Sequence, residues 1–126
     1  MSNILVVDDS PAVLKIVRLA LSSQGHEIII CESGESALDI LKSNTKIKLG
    51  IFDFNMPGIN GLELIQKSKK TMSGTKLKIL ILSVESKPEI ISKALFEGAD
   101  AWIVKPFKNE DLINKVNELL EEHDSV

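Results

Sequence analysis

Five short apolar runs recur along the chain: NILVVD at 3–8, EIIIC at 27–31, KLGIFD at 48–53, KILIL at 78–82 and AWIVK at 101–105. They are rich in Ile, Val and Leu, and they are nearly continuous rather than alternating. A strand that is apolar on both faces needs a covering layer on each side, which is the condition of a parallel sheet. Between the runs lie stretches with helical spacing, such as Val13, Val17 and Leu21 in the first and Leu112, Val116, Leu119 and Leu120 in the last. A strand-helix unit repeated five times predicts an open α/β sandwich with right-handed crossovers. Helix punctuation agrees. Ser10 before Pro11 predicts an N-cap and first helical position, Ser86 and Glu89 have capping-box spacing, and Gly25, Gly74 and Gly98 stand where helices should stop. There is no internal repeat, low-complexity tract or linker, and the polar tail EEHDSV is expected to fray.

A length of 126 residues suits one domain, 1–126, with a core of its own and no output domain after it. The hydrophobic share of 44% and charged share of 26% fit a globular chain and argue against disorder. A formal net charge of -3 gives no broad attraction to nucleic acid or anionic lipid, so neither is expected as a partner. The lysines at 67, 69, 70, 76 and 78 have few aromatics near them and read as a solvated face. The lone Cys31 allows no intrachain disulfide and suits a buried apolar position. The start, MSNILVVDDS, has no basic segment leading into an apolar core, and no run approaches membrane-spanning length. A cytoplasmic, membrane-free, monomeric protein is expected.

Ligands of open parallel sheets sit beyond the carboxyl ends of the strands. Here the first strand ends in Asp8-Asp9, the third in Asp53, the fourth in Ser83 and the fifth in Lys105-Pro106, so these polar groups fall on one edge. If the first and third strands are neighbours, like charges oppose one another there. At about 4 Å and an effective dielectric of about 20, each pair costs roughly 4 kcal/mol. A hard divalent cation with oxygen ligands offsets this, Mg²⁺ best and Mn²⁺ as a substitute, with the backbone carbonyl of Asn55 as a further ligand. The plainer alternative is that Asp8-Asp9 is a solvated strand end capping the next helix. Lys105 and Ser83 have the charge and the hydroxyl to hold a phosphoryl group, and a cis Lys105-Pro106 bond would aim the lysine at it. A carboxylate beside a metal is a competent nucleophile for phosphoryl transfer, and Asp53, on the middle strand, is the best placed. His26, next to Gly25, and His123, in the tail, lack zinc-ligand spacing and read as bland.

VVDDS, DFNMPGINGLEL, LS at 82–83 and VKPF at 104–107 together closely resemble the receiver domain of two-component response regulators, of the CheY-like kind, over essentially the whole chain. The resemblance implies a flavodoxin-like five-stranded sheet in order 2-1-3-4-5, with helices on both faces. It implies that Asp53 is phosphorylated from a sensor histidine kinase, and that Asp9 binds Mg²⁺ directly, Asp8 through water, and Asn55 through its carbonyl. It further implies that Ser83 and Lys105 contact the phosphoryl group. Ser83 and Trp102 would be the switch pair, reshaping the face of helix four, strand five and helix five for a downstream protein target. Asn55 and Glu85 match the chemotaxis pattern at the two positions that tune hydrolysis of the acyl phosphate.

The chain departs from the family at three places. Ser83 and Trp102 replace the usual Thr and Tyr or Phe, and Val84 stands where many receivers have a smaller residue, predicting restricted access to Asp53. A chemotaxis regulator, a phosphorelay intermediate and a receiver cut from a longer regulator remain open. An aspartyl phosphohydrolase of the haloacid dehalogenase kind is disfavoured, because it needs a second aspartate where Asn55 stands and a cap that 126 residues leave little room for. The expectation is therefore a switch that catalyses only its own phosphorylation and dephosphorylation.

Overall fold

The computed structural model describes residues 2–125. Strands and helices alternate as β1 (Asn3–Val7), α1 (Pro11–Ser22), β2 (Glu27–Cys31), α2 (Gly34–Ser43), β3 (Ile47–Phe52), α3 (Gly61–Thr71), β4 (Lys78–Ser83), α4 (Pro88–Glu97), β5 (Ala101–Val104) and α5 (Asn109–Asp124). The strands form one parallel sheet in the order β2-β1-β3-β4-β5, as expected.

Strand alternation divides the core in two. Leu5, Val7, Phe52, Ile79 and Ile81 face α2, α3 and α4, where they meet Ala37, Leu41, Leu64, Ile65 and Ala94. Ile4, Val6, Leu49, Ile51, Leu80 and Leu82 face the other way, onto Leu14, Val17 and Leu21 of α1 and Leu112, Val116 and Leu119 of α5. The continuous apolar runs of β1, β3 and β4 are thus buried on both faces. The edge strands are not. β2 and β5 are only half-buried, with Ile30 and Val104 exposed, because an edge strand is flanked by a neighbour on one side only. Cys31, at the end of β2, is likewise half-buried rather than sealed in the core, and this burial pushes its thiol up to about 11.

Ser10 caps α1 by accepting the Val13 N–H at 3.3 Å, and Pro11 opens the helix. The expected Ser86–Glu89 capping box does not form. Pro88 opens α4, so Lys87 is its N-cap and provides no side-chain cap. The tail is also more ordered than expected: α5 runs to Asp124, with Lys48 Nζ on Asp124 Oδ1 and Lys76 Nζ on the Ser125 carbonyl, both at 3.0 Å. Only Val126 of that tail lies outside the described residues. The lysine face is also partly committed, since Lys69 Nζ donates to the Leu77 carbonyl at 2.6 Å and Lys78 pairs with Asp100 at 3.7 Å.

Gly50 matters to the site through its neighbour. A Cβ on Gly50 would sit 2.6 Å from the Phe52 ring, whose side chain is fully buried one residue before Asp53. The ring occupies the space that a side chain at 50 would need. Gly50→Ala should therefore cost about 1–3 kcal/mol in chemical denaturation, and Phe52→Leu should recover part of that loss in the double variant. A Gly50→Ala protein as stable as wild type would contradict this packing.

Candidate functional site

Parallel pairing places Val7 of β1 opposite Phe52 of β3, and the ladder runs one residue further, with Asp53 N donating to the Val7 carbonyl at 2.9 Å. Asp8 and Asp53 therefore leave adjacent strands at the same level. Asp8 is 2% exposed and Asp53 7%, while Asp9 faces solvent. One carboxylate oxygen from each of the three lies within 4.8 Å of the others.

Lys105 comes to them from across β4. Its N–H donates to the Ser83 carbonyl at 2.8 Å, and its Nζ reaches Asp8 Oδ2 at 2.7 Å and Asp53 Oδ2 at 3.7 Å. The Lys105-Pro106 peptide is cis. The lysine is thus shared unequally. Asp8 has the short bond to it and also accepts the Ser10 N–H at 2.9 Å, whereas Asp53 has the longer ion pair and one long hydrogen bond, from Asn55 N at 3.4 Å. The result is electrostatic strain on Asp53. Its carboxyl is held above the ordinary carboxylate range, first by burial and then by the charge of Asp8, with Lys105 and the Asn55 N–H only partly opposing.

Asp8 does part of what the plainer alternative required, since it holds the Ser10 N–H at the entry to α1, but the cap of that helix is Ser10 itself. The cluster as a whole exceeds what capping needs. Three carboxylates with one lysine, two of them buried and the third open to solvent, form an all-oxygen donor set with excess negative charge. That set fits a hard divalent cation that keeps part of its water shell.

The remaining candidates lie near this edge with different partners. Ser83 is fully buried, and its hydroxyl accepts the Glu85 N–H at 3.3 Å. Asn55 and Val84 are exposed, Val84 by 67%. The carboxylate of Glu85 is turned onto its own loop, accepting Ser86 N at 3.1 Å and Lys87 N at 3.2 Å. Trp102 is half-buried. Its indole N–H donates to the Glu85 carbonyl at 3.0 Å, and its ring lies 5.1 Å from that of Phe54 at a 50° tilt. Phe54 was not singled out in the sequence, although its place directly after Asp53 was a usable signal. His26 and His123 lie away from the edge; His123 Nδ1 is 3.1 Å from Asp124 Oδ1.

The model of the response regulator receiver domain family matches residues 4–117. The chain belongs to that family. A chemotaxis protein CheY homolog of Campylobacter jejuni is 37% identical over 120 residues, covering 94% of this chain and 92% of that protein. A two-component response regulator of rice, ORR11, is 34% identical over 110 residues, 87% of this chain and 75% of its own. Among solved structures, a CheY-like receiver domain protein from Methanospirillum hungatei superposes with a TM-score of 0.89 at 31% identity, covering 98% of this chain and 97% of that one. The strand order found here is the flavodoxin-like order expected of the family. Among the described residues, no helix is long and apolar enough to cross a membrane.

An acid whose folded-state value lies above its unfolded one binds its proton more readily when folded. Ionised Asp53 therefore costs stability at neutral pH, and the cost fades as pH falls through the raised value into the unfolded range. In metal-free buffer, Asp53→Asn should raise the melting midpoint at neutral pH by a few degrees. Its advantage over wild type should shrink toward about pH 4. A lower midpoint than wild type at neutral pH, or an advantage that grows in acid, would count against the electrostatic account.

Proposed function

We propose that this chain is a phosphoacceptor switch in which Asp53 receives a phosphoryl group from a sensor histidine kinase. The observation that carries the proposal is the placement of Asp53: a buried carboxylate at the sheet edge, beside Asp8 and within 3.7 Å of Lys105 Nζ. In the transfer step an Asp53 oxygen bonds to the phosphorus of a phosphohistidine, the P–N bond breaks, and the imidazole nitrogen keeps the electron pair and takes a proton. Hydrolysis of the resulting acyl phosphate returns the carboxylate and inorganic phosphate.

The chain's own residues divide the work. Asp8 and Asp9, with Asp53 and the Asn55 carbonyl, would hold Mg²⁺ or Mn²⁺. That ion supplies charge neutralisation for the incoming phosphoryl oxygens. Lys105, whose Nζ reaches both Asp8 and Asp53, would pair with a phosphoryl oxygen. Ser83 offers its hydroxyl from the end of β4 and, with Trp102, forms the switch, while Asn55 and Glu85 set how long the phosphoryl group lasts.

The face of α4, β5 and α5 is the output surface for a downstream protein. Phe96 is 89% exposed and Leu95 42% on α4, and Val104 39% on β5, an apolar content that suits protein binding. The similarity to the Campylobacter chemotaxis protein and the pair Asn55 and Glu85 favour a chemotaxis role, with a phosphorelay as the alternative. The net charge of -3 supports a protein partner over nucleic acid or an anionic membrane surface.

The test is incubation with Mg²⁺ and acetyl phosphate, read by mass and by the fluorescence of Trp102, the sole tryptophan. One phosphoryl group per chain, dependent on Mg²⁺ and lost in Asp53→Asn, is expected. Absence of an Asp53-dependent mass change, or repeated turnover of an added phosphate ester, would overturn the proposal. Val84 shares with Val13, Ile16, Lys105, Pro106 and Phe107 an apolar groove of about 410 Å³ beside the lysine. Removing two of its methyl groups opens that approach, so Val84→Ala should label several-fold faster from the small donor. Equal or slower labelling would remove Val84 as a gate.

A further inference from the structure

Gly34 opens α2, buried, and its φ is not in the left-handed range, so its backbone could be that of any residue. Space, not conformation, requires a glycine there. A Cβ at 34 would stand 3.1 Å from Ile59 Cβ and 3.5 Å from both Ile59 Cγ2 and the Ile59 carbonyl oxygen, the first of these inside ordinary van der Waals contact. The next pair of residues also meets, since a side chain at 58 would stand 2.7 Å from Glu35 Oε2. The start of α2 and the loop between β3 and α3 thus interlock over two residues each. On the loop side, Ile59 packs against the layer of α2, α3 and α4, and Met56 is buried in it. The loop closes where Gly61 N donates to the Phe54 carbonyl at 2.8 Å. Asn55 lies between these restraints and is exposed. Among the described residues its one hydrogen bond is the long one, 3.4 Å from its N–H to Asp53 Oδ1, so its orientation is set by its neighbours.

We infer that Gly34 and Ile59 are positioning residues for Asn55: the start of α2 is the backstop on which Ile59 rests, and together with Met56 it fixes the path of residues 55 to 59 and so the direction of the Asn55 carbonyl. The consequence for a bound cation rests on the site proposed above, in which that carbonyl is a ligand; the positioning of Asn55 itself does not. The connection from Ile59 back to Asn55 is short and restrained. Met56 is buried, the ring of Pro57 fixes its φ, and Gly58, at φ 82°, lies against the Glu35 carboxylate. A methyl group at 34 would force Ile59 to give way by a few tenths of an ångström, and little slack remains to take up that displacement before Asn55. Groups behind a metal ligand set its orientation, and α2, which gives no side chain to the Asp53 edge, acts on the site through this contact.

Helix propensity and this contact predict opposite things at position 34. Alanine is the better helix former, so propensity alone leaves the site untouched, whereas a displaced Ile59 carries the change to Asn55. In metal-free protein, the Asn55 amide resonance of a ¹⁵N-correlated spectrum should move in Gly34→Ala and stay in place in Asp39→Ala, an exposed substitution on the same helix. Ile59→Ala, which removes most of the side chain resting on Gly34, should move the same resonance and decides the matter if Gly34→Ala does not fold. An Asn55 resonance unmoved in Gly34→Ala and Ile59→Ala, or moved equally in Asp39→Ala, would overturn the assignment. Mn²⁺ affinity, read from the electron paramagnetic resonance signal of the free ion, should fall several-fold in Gly34→Ala and Ile59→Ala and be unchanged in Asp39→Ala. Wild-type affinity in the first two would refute the link to the cation. If wild type itself binds no Mn²⁺, the cation reading of the site fails, while the Asn55 resonance still decides whether Gly34 and Ile59 position that residue.

Discussion

The parallel pairing of β1 with β3 is the constraint on which the site depends. Because Val7 lies opposite Phe52, the next residue on each strand is an aspartate, and neither can move away without breaking the ladder. A displacement of the register by one residue would separate Asp8 from Asp53 and turn every apolar side chain of one strand to the wrong layer. The repulsion between two buried carboxylates is therefore maintained by the same packing that stabilises the domain. Lys105 relieves only part of it, and relieves Asp8 more than Asp53. The carboxylate left short of partners is the one on the middle strand.

The groups around this pair differ in how they are restrained. Asp8, Asp53 and Ser83 are buried within or directly beyond the central strands, so their backbone positions are fixed by the sheet. Asp9, Asn55 and Val84 are exposed on the loops that follow. A rigid inner set and an accessible outer set suit a site that must keep its geometry while admitting a donor and releasing a product. Glu85 stands between the two sets, half-buried, with its backbone tied to Ser83 and its side chain to the loop.

Much of this was legible in the sequence because parallel sheets write themselves as apolar runs, and the residue after each run is visible without knowing the structure. Asp8, Asp53, Ser83 and Lys105 each stand at such a place, and the fold brings them to one edge of the sheet. The half-burial of the edge strands is not legible there, because burial depends on a strand's place in the sheet order, which a run of Ile and Val does not carry. The capping box at Ser86 and Glu89 was read from spacing, yet Pro88 contained the better signal, the same one that located α1 at Pro11. The order of the tail comes from contacts with Lys48 and Lys76, which lie 76 and 49 residues away and leave no local trace. The position of Glu85 is visible in the sequence but its partners are not, since a carboxylate that turns back onto its own loop has no sequence pattern.

The division of the core by strand alternation has a mechanical consequence. Phe54 and Trp102 both pack with the α2, α3 and α4 layer, and α1 and α5 share the opposite layer with alternate residues of the same strands. Fully buried β1, β3 and β4 lie between them as a stiff partition. A rearrangement that begins at the aromatic pair can spread through its own layer, and it can reach α5 through the half-buried edge strand β5, whose Ala101 and Ile103 pack on the α5 layer on either side of Trp102, whereas α1 lies behind the buried central strands. The sheet edge at β5 is therefore the place where movement in one layer is felt in the other, and the central strands shield α1 from it.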